Sequence, residues 1–343
     1  MRRIRIAQIG INRYSHGPEL FSTLKSHPEL FDLVGYVLVE DERETCAVNL
    51  EKYYAGYPEL SLQEVLEDPT IEAVTVETDE IHLLKYARMA AEHGKHIHME
   101  KPGSQSEADF EALIETMRKT GKVFHMGYMF RYHPLIADAI QRVKSGEFGH
   151  VYSVEAHMSR YDDRKCREWL GAFEGGMMFY LGSNLIDVVL QLQGMPERVI
   201  PLNTKTEIGD VHTEDFGFAV LQYPSATSFV RASGVELGGN LRRQIVICGE
   251  KKTLEIRPIE IPYPTPTWQS MYYSESDETF LNENRRTVRE HRVSEPFQRY
   301  FAMISAFAAM VRGEKENPYT LDYELALFRT IMKCCGAGAD IKD

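Results

Sequence analysis

The segment IAQIGINRYSHG, residues 6–17, contains the beginning of a phosphate-binding loop. An apolar strand is followed by Gly10 and then by a predicted helix. A dinucleotide-binding loop normally reads G-x-G-x-x-G at this place. Here Asn12 and Ser15 hold the second and third glycine positions, and asparagine tolerates the positive φ that such a turn needs. Because a helix N-terminus attracts anions whatever the loop sequence, the segment predicts a nucleotide site of altered affinity, in which Arg13 could pair with a phosphate.

A lysine at the end of another predicted strand is the second candidate for chemistry. Lys101 lies between Glu100 and Pro102 in the segment GKHIHMEKP, after the strand-like run HIHM. A lysine ammonium that is partly withdrawn from water gives up its proton more easily. It could then accept the proton of an alcohol, or donate a hydrogen bond to a developing alkoxide. The ordinary alternative for a lysine before proline is a solvated turn.

The elements that would position these residues alternate between strand and helix over residues 1–126. Apolar runs such as RIRIAQIG, FDLVGYVLV and IEAVTVE read as strands, and the segments between them carry helical apolar stripes. The helix in SEADFEALIETMRKTG is expected to begin after Ser106, which can cap it, and to end at Gly121. Strict alternation predicts an α/β fold with a doubly wound parallel sheet, whose ligands bind at the carboxyl ends of the strands. We therefore predict a dinucleotide-binding domain at residues 1–126.

Residues 127–343 have a different pattern. The longer segments VYSVEAHM, FGFAVLQY, TSFVRASG, QIVICG and TLEIRP alternate apolar and polar residues, which indicates antiparallel strands with one covered face. Helices are expected at about residues 133–145 and 177–193, and two amphipathic helices end the chain. This pattern predicts a C-terminal substrate and oligomerisation domain with a large, mostly antiparallel open sheet.

Composition excludes several classes of protein. The 343 residues include 39 lysines and arginines and 51 aspartates and glutamates, a net charge of −12. This balance argues against general binding to nucleic acid or anionic membranes. The start MRRIRIAQIG has no apolar run typical of a signal peptide, and no segment has the about 20 consecutive apolar residues of a membrane span. The five cysteines lack C-x-x-C spacing, as expected of reduced thiols in a cytoplasmic protein.

Five segments together resemble the glucose–fructose oxidoreductase / inositol dehydrogenase / MocA family of NAD(P)-dependent oxidoreductases. In chain order they are GKHIHMEKP, GYMFRYHP, GEFGHVYSVEA, EGGMMFYLGSNLIDVVL and RRQIVICGEKKTLEI. The resemblance runs over nearly the whole chain. It implies an N-terminal Rossmann domain, homodimers or homotetramers formed through the C-terminal sheet, and reversible oxidation of a secondary alcohol on a sugar, polyol or related ring. It also implies NAD as the cofactor, or NADP in its place.

The resemblance also implies roles for individual residues. The lysine of the family's E-K-P segment lies near nicotinamide and substrate, which implies an acid/base role for Lys101 and a role for Glu100 in holding the turn and the cofactor ribose. The family's helix motif D-x-G-x-H corresponds here to Tyr180, Gly182 and Asn184. Because an asparagine amide cannot titrate, Lys101 would carry the proton transfer, while Tyr180 and Asn184 contact the reacting hydroxyl.

The cofactor half departs from the family as well. Leu38 stands where relatives carry the aspartate that binds ribose, so Glu40 or Asp41 would have to reach the ribose hydroxyls. Acidic side chains there favour NAD because they repel a 2′-phosphate. Thr78 is retained from the family's turn beside the nicotinamide, and His82 begins the next helix. The expected cofactor-binding residues are Gly10, Asn12, Arg13, Glu40, Thr78, His82, Glu100 and Lys101.

Further polar residues are candidates to contact the substrate. Arg131 and His133 belong to GYMFRYHP, and Arg160 and Trp169 precede the helix that carries Tyr180. A tryptophan among charged side chains suits the face of a sugar, although a surface hairpin is an alternative explanation. The histidines that could replace the missing base are His125, His133, His157 and His212. His96 and His98 have i, i+2 spacing, but no cysteine or carboxylate cluster accompanies them, so we expect no metal site.

Two alternative functions stay open from the sequence. The altered loop and the missing histidine also suit a weak or inactive relative that binds a nucleotide or carbohydrate as a sensor or partner subunit. A chain that keeps NAD could instead use transient oxidation to drive elimination or glycoside cleavage.

Overall fold

The chain divides into two compact units. In the computed structural model, the first unit comprises Met1–Met129 and Tyr300–Phe328, and the second comprises Phe130–Arg299 and Arg329–Asp343. The structure describes residues 2–12, 14–262, 268–269, 273–277 and 290–337.

A five-stranded parallel sheet forms the centre of the first unit. Its strand order is β2-β1-β3-β4-β5. The elements up to residue 126 are β1 (Ile4–Ile9), α1 (Gly17–Ser26), β2 (Phe31–Val37), α2 (Glu42–Thr45), α3 (Ala47–Asn49), α4 (Leu62–Glu67), β3 (Ala73–Val76), α5 (Leu83–Glu92), β4 (His96–Met99), α6 (Glu107–Thr120) and β5 (Phe124–Met126), with a π-helical turn at Leu50–Tyr54. The predicted α/β fold with a parallel sheet is confirmed.

Local sequence explains these elements. Every residue of β3 is buried, because a parallel strand covered on both faces needs a continuous apolar run. Helix α6 begins after Ser106, whose hydroxyl accepts the N–H of Asp109, and ends at Gly121 with a φ of 63°. Its buried residues form one stripe of Phe110, Leu113, Ile114 and Met117. Capping and periodicity therefore predicted this helix correctly.

The second unit contains an eight-stranded sheet. Its order is β15-β14-β11-β10-β6-β9-β8-β7, and all neighbours are antiparallel except β6 and β9. The elements are α7 (Pro134–Lys144), β6 (Val151–Ser159), α8 (Arg164–Trp169), α9 (Ser183–Gln193), β7 (Arg198–Pro201), β8 (Phe216–Tyr223), β9 (Ala226–Ser233), β10 (Gln244–Gly249), β11 (Lys252–Ile256), β14 (Tyr273–Asp277) and β15 (Glu290–Arg292), while β12 (Ile261–Pro262) and β13 (Trp268–Gln269) pair separately. A large, mostly antiparallel sheet is confirmed.

The predicted helix at residues 177–193 has two parts. A π-helical turn at Met178–Gly182 precedes α9. Gly176 precedes the turn with a φ of 41°, and a Cβ there would lie 2.3 Å from the carbonyl oxygen of Glu214. The glycine pair therefore lets the chain pass close to a neighbouring backbone before the helix begins.

Two helices near the end of the chain fold largely with the first unit. They are α10 (Phe301–Val311) and α11 (Leu321–Cys335). The Phe328 ring stacks on Phe110 at 4.6 Å between centroids, and Phe307 stacks on His125 at 5.6 Å. The sequence pattern assigns this segment to residues 127–343, because an amphipathic stripe does not specify which core it will cover.

Candidate active site

The carboxyl ends of β1 and β3 meet at Gly10. The chain leaves β1 for β2 on one side and β3 lies on the other, which makes this the topological switch point where open α/β sheets bind ligands. Gly10 has a φ of 87°, and a Cβ there would lie 2.6 Å from Cγ2 of Thr78 and 2.8 Å from its backbone nitrogen. Gly10 and Thr78, both predicted from the sequence, are therefore packed directly against each other.

Side chains shape the loop where glycines are missing. The Asn12 side-chain oxygen accepts the N–H of Tyr14 at 2.7 Å. The Ser15 hydroxyl donates to the carbonyl of Asn12 at 3.1 Å and accepts the N–H of Gly17 at 3.1 Å, where α1 begins. Asn12 and Ser15 thus form a hydrogen-bonded turn of their own. Arg13 lies outside the described residues.

Glu42 is a site residue that the sequence did not reveal. It is buried, and its carboxylate accepts the N–H of Ile11 at 3.0 Å and of Val39 at 3.1 Å. It therefore joins the loops that follow β1 and β2. Burial raises its pKa to about 7, against the two backbone hydrogen bonds, which lower it. No pattern distinguishes Glu42 from its acidic neighbours in the sequence.

Glu40, which follows β2, and His82, which follows β3, lie close together. The Glu40 carboxylate accepts from the Lys85 ammonium at 2.6 Å and from the Tyr86 hydroxyl at 2.7 Å, and His82 Nδ1 is 4.0 Å away. The hydrogen bonds from Lys85 and then Tyr86 lower the pKa of Glu40. Glu40 is therefore an ionised group in the loop where a ribose aspartate is expected.

Lys101 lies in a buried cluster of carboxyl groups. Its ammonium is 3.6 Å from Oε1 of Glu100, and both side chains are 3% exposed. Glu77 and Glu80 are buried at the end of β3, and in the described part of the chain neither carboxylate oxygen of Glu80 has a hydrogen-bond partner. Burial raises the pKa values of Glu77, Glu80 and Glu100, and Lys101 opposes the rise for the last two. The end of this sheet is thus able to hold protons near neutral pH.

In the second unit, three predicted substrate residues lie together. The Trp169 ring meets Tyr180 edge-on at 5.0 Å between centroids, and the Arg160 guanidinium carbon lies 5.0 Å from the Tyr180 centroid. Asn184 follows in α9, and its buried side-chain oxygen has no hydrogen-bond partner among the residues that the structure describes. An orphaned amide oxygen can accept a hydrogen bond from a ligand hydroxyl.

Arg131 and His133 have internal partners. The Arg131 guanidinium donates to both oxygens of Asp187, at 3.0 and 2.9 Å, with both side chains fully buried. Nε2 of His133 lies 2.9 Å from the carbonyl of Ile259, and Nδ1 accepts the N–H of Ile136. Burial lowers the pKa of His133 to about 4, so its ring is neutral near pH 7. Their contact with a substrate stays a prediction.

The remaining candidate histidines have separate surroundings. Nδ1 of His98 and Nδ1 of His125 are 2.7 Å apart within the parallel sheet. Burial lowers the pKa of His157 to about 4. His212 is exposed and lies 3.1 Å from Asp210. The described residues contain no group of three or more potential metal ligands, and no described helix is long and apolar enough to cross a membrane.

Comparison with known families identifies the family to which the chain belongs. The profile of the oxidoreductase family with an NAD-binding Rossmann fold matches residues 4–128. The profile of the GFO/IDH/MocA C-terminal domain matches residues 136–255. The chain belongs to this family. It is an NAD(P)-dependent oxidoreductase.

Individual proteins of known sequence or structure are similar over different lengths. An uncharacterized oxidoreductase of Rhizobium meliloti is 25% identical over 274 residues, 79% of each chain. The scyllo-inositol 2-dehydrogenase (NAD(+)) of Bacillus subtilis is 41% identical over 86 residues, 25% of each chain. The crystal structure of aldose-aldose oxidoreductase from Caulobacter crescentus has a TM-score of 0.78 and 20% identity, over 98% of each chain. The last similarity is one of fold.

The strand ends of this GFO/IDH/MocA protein fit NAD(P). Gly10 provides the close approach of loop and strand, and α1 begins directly after the turn. Two features of this chain bear on how the cofactor would be held. Leu38 packs partly buried against an apolar cluster in place of an acidic ribose ligand, and Glu42 occupies the N–H of Ile11. Cofactor phosphates would therefore depend on the amides and side chains beyond Ile11.

Proposed function

We propose that the protein oxidises a secondary alcohol of a sugar or polyol, or reduces the corresponding ketone, with NAD(P) as the coenzyme. The observation that carries this proposal is the burial of Lys101 beside Glu100 at the carboxyl end of β4. A solvated turn, the ordinary explanation of a lysine before proline, does not fit a side chain that is 3% exposed. The names of the Bacillus subtilis and Caulobacter crescentus relatives support a polyol or sugar as the substrate.

The residues that would hold the coenzyme come from the ends of three strands. Gly10, Asn12 and Arg13 would bind the pyrophosphate together with the N-terminus of α1, whose positive end favours anions. Glu40 would accept hydrogen bonds from the adenosine ribose, and Thr78, His82 and Glu100 would contact the nicotinamide half. When bound, the nicotinamide supplies hydride transfer with the alcohol carbon.

Lys101 would move the hydroxyl proton. As the alcohol becomes a ketone, its O–H bond breaks and the proton passes to the Lys101 side-chain nitrogen. In the reverse direction Lys101 returns that proton to the developing alkoxide. Burial raises the pKa values of Glu80 and Glu100 to about 8 and about 7, which limits the negative charge around Lys101 near neutral pH.

Tyr180 and Asn184 would orient the reacting hydroxyl. The buried, unpartnered oxygen of Asn184 can accept a hydrogen bond from it, and the phenol of Tyr180 can donate one. The Trp169 ring, which packs on Tyr180, would contact the face of the sugar, and Arg160 would bind its polar substituents. Arg131 and His133 would affect substrate binding indirectly. Arg131 holds Asp187 of α9 in place, and His133 holds the backbone at Ile259.

The test compares two buried lysines. Lys95 is also 3% exposed, but its ammonium donates to the carbonyls of Asp68 and Ile71 at 2.7 and 2.8 Å. We expect Lys101→Met to lower kcat by roughly 10²- to 10⁴-fold, the usual contribution of a general acid or base, with coenzyme affinity within a few fold of the wild type. Lys95→Met should lower the thermal midpoint and leave kcat unchanged.

Calorimetric titration and product analysis accompany this test. The wild type should bind either NAD⁺ and NADH or NADP⁺ and NADPH at micromolar concentration and release reduced coenzyme with a polyol or sugar from a substrate panel. Absence of binding at millimolar coenzyme, or equal kcat losses for both lysine variants, contradicts the proposal. Product formation without net release of reduced coenzyme would instead support elimination through transient oxidation.

We also propose that copies of the chain associate through the second unit's sheet as a homodimer or homotetramer. The exposed Tyr152 on β6, with 49% of its surface accessible, lies on the sheet face that would be covered. Light scattering should give a mass two or four times that of the 39.4 kDa chain, and Tyr152→Glu should lower it. A monomer at the concentration of the assay contradicts this proposal.

A further inference from the structure

One end of the second unit's sheet is rich in arginine. Strands β6 and β9 are parallel and β10 is antiparallel to β6, so the end of β6, the end of β9 and the start of β10 share one edge. Arg160 follows β6, Arg231 is near the end of β9, and Arg242 and Arg243 precede β10. This concentration of positive charge contrasts with the net charge of −12.

Nearby carboxylates compensate only part of this charge. Glu236 pairs with both Arg231 and Arg242, Asp162 pairs with Arg160 at 2.6 Å, and Glu260 pairs with Arg299 at 2.5 Å. Within the described residues, Glu260 also lies 3.6 Å from Arg243, so this one carboxylate is shared by two guanidinium groups. Arg243 therefore has the more distant share of that negative charge.

Arg243 is the guanidinium with the weakest compensation. Its side chain is 12% exposed, and its ion pair among the described residues is with Glu260 at 3.6 Å. That carboxylate already accepts two hydrogen bonds from Arg299. The hydrogen bond from Nε of Arg243 to the carbonyl of Ser159 is long, at 3.4 Å. Burial lowers the pKa of Arg243 to about 10. Glu260 opposes this shift, while the positive charges of Arg299 and Arg160 add to it.

A guanidinium that is 12% exposed keeps its proton near neutral pH. An anion close to it would add the missing negative charge, and a bidentate carboxylate or phosphate matches its planar donors best. Arg243 is also close to the proposed substrate contacts. It bonds to Ser159, the residue before Arg160, and Arg160 lies over the ring of Tyr180.

We propose that the substrate is a sugar or polyol that carries an oxyanion, a carboxylate or a phosphate, bound by Arg243 with Arg160. This inference rests on the proposed function of the same site and adds the substrate class. Arg243 sets specificity by donating hydrogen bonds to the anionic group, and Trp169 and Tyr180 contact the uncharged part of the molecule. A neutral sugar leaves this guanidinium with the 3.6 Å pair to Glu260 as its ion pair among the described residues.

The experiment compares neutral and anionic forms of one carbon skeleton. The probes are glucose, gluconate, glucuronate and glucose 6-phosphate, with myo-inositol and its monophosphate as a second set. We expect an acid or a phosphate to have kcat/KM at least tenfold above its neutral parent, and the pattern across the probes distinguishes carboxylate from phosphate. Equal values for charged and neutral forms overturn the inference.

Two adjacent arginines provide the variant and its control. Arg243→Met should raise KM or Kd for the anionic probe by roughly 10- to 100-fold, as expected for lost hydrogen bonds to a charged group. Arg242→Met removes a side chain that is 54% exposed and paired with Glu236, and should change neither. Arg243→Lys keeps the charge in case the methionine variant does not fold, and should recover part of the affinity. Unchanged anion affinity in both Arg243 variants overturns the inference.

A binding measurement separates this inference from the proposed function. Calorimetric titration with the preferred acid or phosphate needs no turnover. If no probe is oxidised but the anion binds and Arg243→Met weakens it, the proposed function fails while the anion site stands. If polyols are oxidised and no anion binds, the anion site fails while the proposed function stands.

Discussion

The two units bury ionisable groups of opposite sign, and the buried charge can be neutralised in a different way in each unit. At the strand ends of the first unit, Glu77, Glu80 and Glu100 form a buried cluster that includes Lys101, and burial raises the pKa values of all three carboxyls. At the sheet edge of the second unit, arginines outnumber their carboxylate partners.

A carboxyl group can discharge itself by taking up a proton, whereas a guanidinium cannot lose one near neutral pH. The acidic cluster therefore reaches a low-energy state without any ligand, and pH controls it. The basic cluster depends on an anion, and ligand concentration controls it. The same burial thus produces a proton store in one unit and an anion receptor in the other.

The largest expected effect comes from breaking a charge pair that is fully compensated. Arg131→Met leaves the buried Asp187 carboxylate without the guanidinium that balances its charge, and we expect the free energy of unfolding to fall by about 3–5 kcal/mol. Glu77→Gln replaces a carboxyl whose pKa is raised by burial with a neutral group of the same shape, and should change the free energy of unfolding by less than about 1 kcal/mol. Urea denaturation measures both.

The control for Arg131→Met is the double variant Arg131→Met with Asp187→Leu. It removes both charges and should recover most of the lost free energy of unfolding. A loss in Arg131→Met no greater than that in Glu77→Gln would show that the pair is not buried, and would weaken the contrast between the units.

The packing of the first unit's strand ends gives the next largest effect. Gly10→Ala places a Cβ 2.6 to 2.9 Å from atoms of Thr78 and Glu77 at a φ of 87°. We expect a loss of about 2–4 kcal/mol from overpacking and left-handed strain, with coenzyme affinity reduced at least tenfold. At Gly94, φ is 68° and a new Cβ would meet open space. Gly94→Ala should therefore lower the free energy of unfolding by about 1 kcal/mol and bind the coenzyme with wild-type affinity. Similar losses in both variants would contradict this packing.

Dependence on pH is expected to be smaller. The pKa of Glu42 is raised from 4.5 to about 7, so its contribution to stability is complete below pH 4.5 and is lost as pH rises through 7. The lowered pKa values of His96 and His133, about 4 against 6.5, give the opposite slope, which ends above pH 6.5. The free energy of unfolding should therefore fall between pH 6.5 and 8, by about 1 kcal/mol from Glu42 alone.

Glu42→Gln provides the comparison for this pH dependence. Its unfolding curve should be flatter over the same interval, and lower at pH 6.5 because an NH₂ group cannot accept a backbone N–H. A wild-type free energy of unfolding that rises from pH 6.5 to 8 would contradict the raised pKa of Glu42.

The smallest effect concerns coenzyme choice. Glu40 is partly exposed and paired with Lys85, so Glu40→Gln should change the free energy of unfolding by less than about 1 kcal/mol. It should lower Kd for NADP⁺ relative to NAD⁺ several-fold, because a negative charge near a 2′-phosphate is removed. Lys85→Met should shift the ratio the other way. If both variants keep the wild-type ratio, Glu40 does not face the adenosine ribose.

Local patterns were sufficient for much of the fold. The alternation of strands and helices predicted the parallel sheet, and Ser106 and Gly121 predicted the limits of α6, because capping and periodicity act over a few residues. The family motifs identified candidate substrate-binding residues. Among them, Trp169 and Arg160 both pack against the ring of Tyr180. The role of each residue in binding or catalysis is still a prediction.

Contacts between distant segments were not accessible from these patterns. Glu42 resembles its acidic neighbours in the sequence, and only folding brings its carboxylate to the amide of Ile11, 31 positions away. The amphipathic stripe of α11 did not indicate that Phe328 would stack on Phe110. Arg131 carried a motif-based expectation of substrate contact, and the structure adds its bidentate pair with Asp187.

The sequence by itself determined the order of elements and the family, because both depend on short-range patterns of apolarity, capping and motif spacing. The tertiary structure alone decided which charges are compensated. That depends on burial and on partners far apart in the chain, such as Arg243 with Ser159 and Glu260. Since the cost of an unpaired charge depends on its distance from water and from the opposite charge, composition cannot reveal an anion site in a chain of net charge −12.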